Sequence, residues 1–184
     1  TLMRSSAASD VYKRQGLYHV ENITPEAVKY GKDLIAEDAK VYVVDDAELQ
    51  RVYESYPVIW KKKDAKPKLC FMGCPHMSLQ QLIDWTEKVS QSLKEAGRTR
   101  VCIPTVFTAA PAVLKKFQET PYAETLKATG VITSYICPLM YMNNPLSEKM
   151  PVITSSNKLR TYTSARYYTD AEILEQITKG GADR

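Results

Sequence analysis

The sequence lacks several features that identify common classes of protein. Its 184 residues include no apolar run of 18 or more, which argues against a membrane-spanning helix. It has no glycine-rich phosphate loop, no Cys-x-x-Cys pair, no His-Glu-x-x-His motif and no Gly-x-Ser-x-Gly turn. Because many nucleotide-binding proteins, zinc proteins and serine hydrolases carry one of these motifs, the sequence disfavours those classes.

Basic residues are too scattered to predict a nucleic-acid surface. The formal net charge is only +4, and the single basic cluster lies in a predicted loop that also contains Asp64 and Pro67. Its members are Lys61, Lys62, Lys63, Lys66 and Lys68. Lysines in a loop are more often solvated than bound to phosphate, so we expect neither nucleic acid nor a membrane among the partners.

Cysteine is sparse, with four residues in the chain. A chain of this length with 44% apolar residues can form a core without disulfide bonds, so we expect reduced thiols or metal ligands in a cytoplasmic protein. Cys70 and Cys102 lie in apolar segments that we predict to be strands, and we expect both in the core. Cys74 and Cys137 are the candidates for chemistry.

The first fifteen residues, TLMRSSAASDVYKRQ, differ from the rest of the chain. Residues 10–15 resemble a translation of the transposon end used in preparing DNA sequencing libraries. The segment has no apolar period that would bury it. We therefore interpret residues 1–15 as non-native, take residues 16–184 as the protein, and expect the natural sequence to continue upstream.

Short apolar runs alternate with amphipathic stretches after Gly16, which predicts an α/β fold with a mostly parallel sheet and flanking helices. Capping residues predict helix starts at Thr24, Asp45, Ser78 and Asp170. The predicted strands comprise residues 17–20, 40–44, 69–72, 100–104, 131–136 and 152–154.

Two Cys-Pro pairs, Cys74-Pro75 and Cys137-Pro138, follow predicted strands. Ligands of parallel sheets bind at the carboxyl ends of the strands, and cysteine thiolates next to proline often hold iron–sulfur clusters. Two thiolates cannot hold a cluster alone, so at least one further ligand has to lie elsewhere. Structural cysteines in strand-to-helix turns would give the same pattern, and from the residues both interpretations stay open.

A polar segment follows the predicted strand at residues 152–154. It offers two hydroxyls, an amide and two cations, a set suited to a carboxylate or phosphate, although a plain polar turn would look the same. Its members are Ser155, Ser156, Asn157, Lys158 and Arg160. His76, two residues from Cys74, is a candidate acid or base, whereas we expect His19 to be packed within a short strand.

Taken in order, these motifs resemble the C-terminal part of the large subunit of the aconitase X family. The resemblance runs from about residue 16 to the end of the chain. It is carried by Tyr18-His19-Val20, Thr24-Pro25-Glu26-Ala27, Gly73-Cys74-Pro75-His76-Met77-Ser78-Leu79, Ile136-Cys137-Pro138 and Thr154-Ser155-Ser156-Asn157-Lys158. One departure is Ser155, which stands where the family often has asparagine.

The resemblance implies an aconitase-like fold and a hydro-lyase that dehydrates a small anionic hydroxy acid, such as mevalonate 5-phosphate or cis-3-hydroxy-L-proline. It also implies an iron–sulfur cluster, or iron, held by Cys74, Cys137 and a further cysteine upstream, with Ser155–Lys158 facing the substrate. A small subunit would complete the site, and this chain alone would be an inactive fragment. The alternatives are a metal-free α/β binding or scaffold domain with structural Cys-Pro loops and, less favoured, a hydrolase.

Overall fold

The computed structural model describes residues 18–142 and 144–180 and divides the chain into two units after Ser55. The segment interpreted as non-native, residues 1–15, lies outside the described residues. No helix in the described ranges is both long and apolar enough to cross a membrane.

The secondary structure described in the first unit is entirely helical. It contains α1 (Pro25–Tyr30), a 3₁₀ helix (Gly31–Leu34) and α2 (Asp46–Glu54). Two predicted helix starts are confirmed, because Thr24 precedes α1 and the Asp45 carboxylate accepts a hydrogen bond of 2.8 Å from the Glu48 N–H. None of these helices contains a buried residue.

The strands predicted in this unit are wrong. No strand lies within residues 18–55, and the Val41 side chain is 89% exposed. A β-strand needs a neighbouring strand for its N–H and C=O groups, and residues 18–55 provide none, whatever the propensity of the sequence KVYVV. His19 is correspondingly exposed rather than packed, with its Nδ1 3.9 Å from the Glu26 carboxylate.

The second unit contains a five-stranded sheet in which every neighbouring pair is parallel, as predicted. The strand order is β3-β2-β1-β4-β5. The elements are β1 (Leu69–Met77), α3 (Leu79–Glu95), β2 (Thr105–Ala109), α4 (Pro111–Gln118), α5 (Pro121–Ala128), β3 (Ile132–Ser134), α6 (Pro138–Met142), β4 (Val152–Thr154), α7 (Asn157–Tyr162), β5 (Arg166–Tyr167) and α8 (Asp170–Lys179).

Helices cover both faces of this sheet. One core cluster joins α3, α4, α5 and α8 to strand residues such as Met72 and Phe107, whereas a second joins α6 and α7 to Phe71 and Val106. Adjacent strand residues therefore point to opposite faces, as pleating requires. Each fully buried leucine or isoleucine in these clusters contributes about 2 kcal/mol relative to an exposed one.

One strand of this unit starts later than predicted. Residues 100–104 do not form a strand, because the Val101 N–H bonds to the carbonyl of Thr129 and the Cys102 N–H to that of Ile177, so the segment pairs with helix ends. Strand β2 begins at Thr105, after Pro104, and Cys102 is half-buried rather than in the core. Cys70 is fully buried, as predicted, and its burial raises the pKa of its thiol.

Capping chemistry fixes the helices next to the sheet. Ser78 forms the predicted capping box, accepting from the Gln81 N–H while the Gln81 side chain accepts from the Ser78 N–H. The last helix is capped by Thr169 rather than Asp170, which is its first residue. Residues 61–68 form an irregular segment with exposed lysines, in agreement with the predicted loop.

Candidate active site

A cavity of about 180 Å³ opens at the carboxyl ends of the neighbouring strands β1 and β4. It is lined by Met72, Gly73, Cys74, Pro75, His76, Met77, Gln81, Trp85, Ser155, Ser156 and Asp170. The last residues of β1, which include Cys74, and the start of the polar segment after β4 therefore lie together, as expected for residues at the same edge of a parallel sheet.

Cys74 lies in the second half of the central strand β1. Its side chain is 8% exposed and packs in the cluster that includes Phe71, Val106 and Leu159. The thiol is not in a disulfide bond, and the Cys74–Pro75 peptide bond is cis. The Cys74 side chain therefore lines the cavity and also packs against the hydrophobic core of the sheet.

Cys137 lies between the edge strand β3 and helix α6 and is half-buried, also with a free thiol. The helix that follows it packs against β1, where the Tyr141 ring stacks on Phe71 at a centroid distance of 5.2 Å. Met142 belongs to the same buried cluster as Cys74. Cys137 is nevertheless absent from the described residues that line the cavity.

The polar segment divides into two parts. Ser155 and Ser156 line the cavity, and the Ser156 hydroxyl also caps α7 by accepting from the Leu159 N–H at 3.0 Å. Asn157, Lys158 and Arg160 are not among the described lining residues.

Two members of the second part are bound to each other. The Arg160 guanidinium donates to Asn157 Oδ1 at 2.7 and 3.0 Å and stacks over the Tyr56 ring at 3.7 Å. Lys158, by contrast, is exposed.

His76 is exposed at the cavity, where an imidazole can reach a bound molecule. Sequence reasoning missed Gln81, Trp85 and Asp170 as lining residues. Gln81 could have been found from its capping-box position directly after the Cys74 loop. Asp170 is brought here only by the fold, because it starts a helix far along the chain.

Cys74 and Cys137 are the right kind of ligand for an iron centre, but two ligands are too few to hold one. Thiolate sulfur is the ligand that iron–sulfur clusters take from proteins, and Cys74 and Cys137 supply two such groups. Within residues 18–142 and 144–180, no group of three or more His, Cys, Asp or Glu side chains could hold a metal ion. A cluster bound here would need a ligand from outside this part of the chain.

A larger cavity of about 550 Å³ lies beside the edge strand β3, lined in part by Arg100, Lys127 and Gly130. It includes neither a cysteine nor a histidine, and none of the predicted site residues. Gly130 and Val131 precede β3, so this cavity lies toward the amino end of that strand. The smaller cavity is therefore the candidate active site.

The chain is similar to a curated protein and to a solved structure. No protein-family profile matches the chain. The chain is 26% identical over 174 residues to the phosphomevalonate dehydratase large subunit of Methanosarcina mazei, which covers 91% of this chain and 38% of that protein. It superimposes on the crystal structure of Thermococcus kodakaraensis aconitase X in its holo-form with a TM-score of 0.63 and 24% identity, covering 88% of this chain and 40% of that one.

The structural match confirms the predicted aconitase X-like α/β fold. The chain spans about 40% of the length of each of these two proteins. Neither comparison tests the individual site residues.

Proposed function

We propose that the chain belongs to the aconitase X family and is part of the large subunit of a dehydratase that removes water from a small anionic hydroxy acid. The observation that carries the proposal is the cavity at the carboxyl ends of β1 and β4, which combines Cys74, His76, Ser155 and Ser156. The name of the curated relative supports the reaction class, and mevalonate 5-phosphate and cis-3-hydroxy-L-proline are the substrates to test.

In this proposal, Cys74 and Cys137 hold an iron–sulfur cluster or iron, and a further cysteine comes from a part of the subunit beyond this chain. The bound centre would supply a Lewis acid for the departing hydroxyl. Both thiols are free, and the helix after Cys137 packs on the sheet face that also buries Cys74. These contacts support a shared role for the two cysteines.

The polar side chains of the cavity would bind and orient the substrate. Ser156 accepts from the Leu159 N–H, so its own hydroxyl proton can still be donated to an anion, and Ser155 adds a second hydroxyl. Lys158 would add positive charge near the substrate. Because Arg160 already donates to Asn157 Oδ1, we infer that it orients the Asn157 amide.

His76 is the proposed proton carrier of this chain. An imidazole nitrogen can accept or donate a proton, and His76 is exposed at the cavity. Its role would be to give or take a proton at the substrate or at its leaving hydroxyl.

A small subunit is the proposed partner, as the words "large subunit" in the relative's name imply for that protein. Apolar side chains flank Cys137, with Tyr135 63% and Met140 68% exposed, and a partner that covers them would also exclude water from the site. The four free thiols support a reducing location, which we propose to be the cytoplasm.

Iron reconstitution of the complete large subunit, together with its small subunit, tests this function. Under anaerobic conditions with iron and sulfide, Cys74→Ser and Cys137→Ser should each lose the visible absorbance, the iron content and the dehydration of the two substrates, because a hydroxyl replaces a thiolate badly as an iron ligand. The matched control is Cys102→Ser, since Cys102 is half-buried but precedes β2 at the amino end of the sheet.

Loss in the two site variants with retention in Cys102→Ser would support the proposal. Parental iron content and activity in both site variants would overturn it. That outcome would instead favour a metal-free binding or scaffold domain whose Cys-Pro loops are structural.

A further inference from the structure

We propose that Thr108 is a positioning residue for Cys74: its hydroxyl holds the irregular stretch of β1 at residues 73–76, here called the Cys74 turn, which presents the thiol to the cavity. The inference rests on the proposed function, in which Cys74 is an iron ligand. Thr108 lies on β2, next to the strand that carries Cys74. It belongs to no sequence motif, and its distance from Cys74 along the chain gives no hint that it lies beside the site.

The pairing of β1 with β2 places Thr108 opposite the Cys74 turn. Met72 pairs with Phe107 and Met77 with Ala109, so residues 73–76 of β1 lie against the single residue Thr108 of β2. The regular ladder of hydrogen bonds is interrupted over this stretch, and its carbonyl groups need other donors.

The Thr108 hydroxyl supplies that donor. Its Oγ1 donates to the carbonyl of Gly73 at 2.7 Å and lies 3.2 Å from the carbonyl of Met72. Thr108 is fully buried, so water cannot replace the hydroxyl without opening the sheet. The bonded carbonyl of Gly73 belongs to the peptide unit that leads directly into Cys74.

Close packing reinforces the hydrogen bond. Gly73 has a φ of +98°, and a Cβ atom on it would lie 2.6 Å from Thr108 Oγ1, 2.9 Å from Thr108 N and closer still to the Thr108 carbonyl oxygen. The backbone of the turn therefore rests directly on Thr108, which leaves the Cys74 backbone little freedom.

A second threonine of the same strand provides a matched control. Thr105 is also fully buried, but its Oγ1 donates to the Ile103 carbonyl at 3.0 Å, two residues away and at the opposite end of β2. A purely structural loss of one buried hydroxyl from β2 should therefore be reproduced by Thr105→Val. An effect confined to Thr108→Val would identify the positioning role.

The first measurement is the alkylation rate of each cysteine in this chain without iron, read by peptide mass spectrometry. Thr108→Val and Thr108→Ala should raise the rate at Cys74 about tenfold, the shift expected when a buried hydrogen bond that closes the turn is lost. Thr108→Ser keeps the donor and should stay within about twofold of the parent. Thr105→Val should leave Cys74 unchanged, and Cys137 serves as the internal reference in every variant.

The second measurement is iron retention in the reconstituted complete subunit under a chelator. Thr108→Val should release iron about tenfold faster than the parent, Thr108→Ser should restore the slow rate, and Thr105→Val should match the parent. An unchanged Cys74 alkylation rate in both Thr108→Val and Thr108→Ala, or an equal rise in Thr105→Val, would overturn the positioning role. Absence of iron from the parent would instead overturn the proposed function, and with it the ligand role of Cys74, whatever the alkylation rates.

Discussion

The two Cys-Pro loops are alike in sequence and differ in their support. Cys74 and Pro75 belong to β1, the central strand, which is paired on both sides by β2 and β4. Cys137 and Pro138 follow the edge strand β3, and Pro138 begins the five-residue helix α6. The proposed iron centre would therefore take one thiol, Cys74, from the central strand of the sheet and the other, Cys137, from the start of a short helix.

We therefore expect Cys74 to be held more rigidly and Cys137 to be more accessible to solvent. Cys74 directly follows Gly73, whose carbonyl accepts from Thr108 Oγ1 and whose Cα packs against the Thr108 backbone, so we expect the Cys74 backbone to move only together with the sheet. Cys137 depends on α6, whose main anchors are Met142 in the core and Tyr141 stacked on Phe71. We expect changes beside Cys74 to cost global stability, and changes beside Cys137 to alter mainly local exposure.

The largest expected effect is that of Gly73→Ala. The new methyl group would overlap the Thr108 backbone, which cannot rotate away, and alanine disfavours the positive φ at this position. We expect a loss of about 3 kcal/mol in the free energy of unfolding, measured by urea denaturation.

The control for this prediction is Gly97→Ala. Gly97 also has a positive φ, of +64°, but a Cβ atom added there would meet no atom within 4 Å, so only the backbone strain of about 1 kcal/mol should be felt. Equal losses in the two variants would mean that the Thr108 contact contributes nothing and that the Cys74 turn is no more rigid than a helix end.

A second prediction concerns the thiols themselves. At pH 8, Cys137 should be alkylated on the order of ten times faster than Cys74, because it is half-buried and Cys74 is supported by the sheet. Cys70 should not react, since its side chain is fully buried and burial raises the pKa of its thiol, which disfavours the reactive thiolate. Peptide mass spectrometry gives all three rates in one experiment, and equal rates at Cys74 and Cys137 would remove the contrast between the loops.

Much of the sheet follows from local sequence signals. Ser78 and Gln81 predict the start of α3 because both capping contacts lie within four residues, and residues 152–154 form β4 as predicted. The segments 40–44 and 100–104 have the same apolar, β-branched character but form no strand. Strand formation depends on a partner elsewhere in the chain, which local propensity does not contain.

Local motifs likewise predict some residues of the candidate site and not others. Cys74, His76, Ser155 and Ser156 were predicted from strand-end motifs, and all four line the cavity. Thr108 and Asp170 carry no motif, because their relation to Cys74 arises from strand register and from the packing of a distant helix. The position of Arg160 was also hidden from the sequence, since its stacking on Tyr56 joins residues far apart along the chain.

A smaller effect is predicted in the polar segment after β4, where the adjacent serines Ser155 and Ser156 can be compared. Ser156→Ala removes the cap of α7 and should cost about 1 kcal/mol of unfolding free energy. Ser155→Ala removes only a contact of 3.5 Å to the Met72 sulfur and should cost less than about 0.5 kcal/mol. Thermal and urea unfolding of both variants provide the test, and a larger loss in Ser155→Ala would show that the loop is held differently.

The smallest expected effect on stability is that of Lys158→Gln, set against Arg160→Gln. Arg160 donates to Asn157 and stacks on Tyr56, so its replacement should cost about 1 kcal/mol. Lys158 is exposed, and its replacement should change the free energy of unfolding by less than about 0.5 kcal/mol. In the reconstituted enzyme, however, Lys158→Gln should raise KM about tenfold with little change in kcat and no change in iron content, because it removes a charge that binds substrate and transition state alike. An unchanged KM would exclude Lys158 from substrate binding, and a loss of iron would mean that this loop supports the centre rather than the substrate.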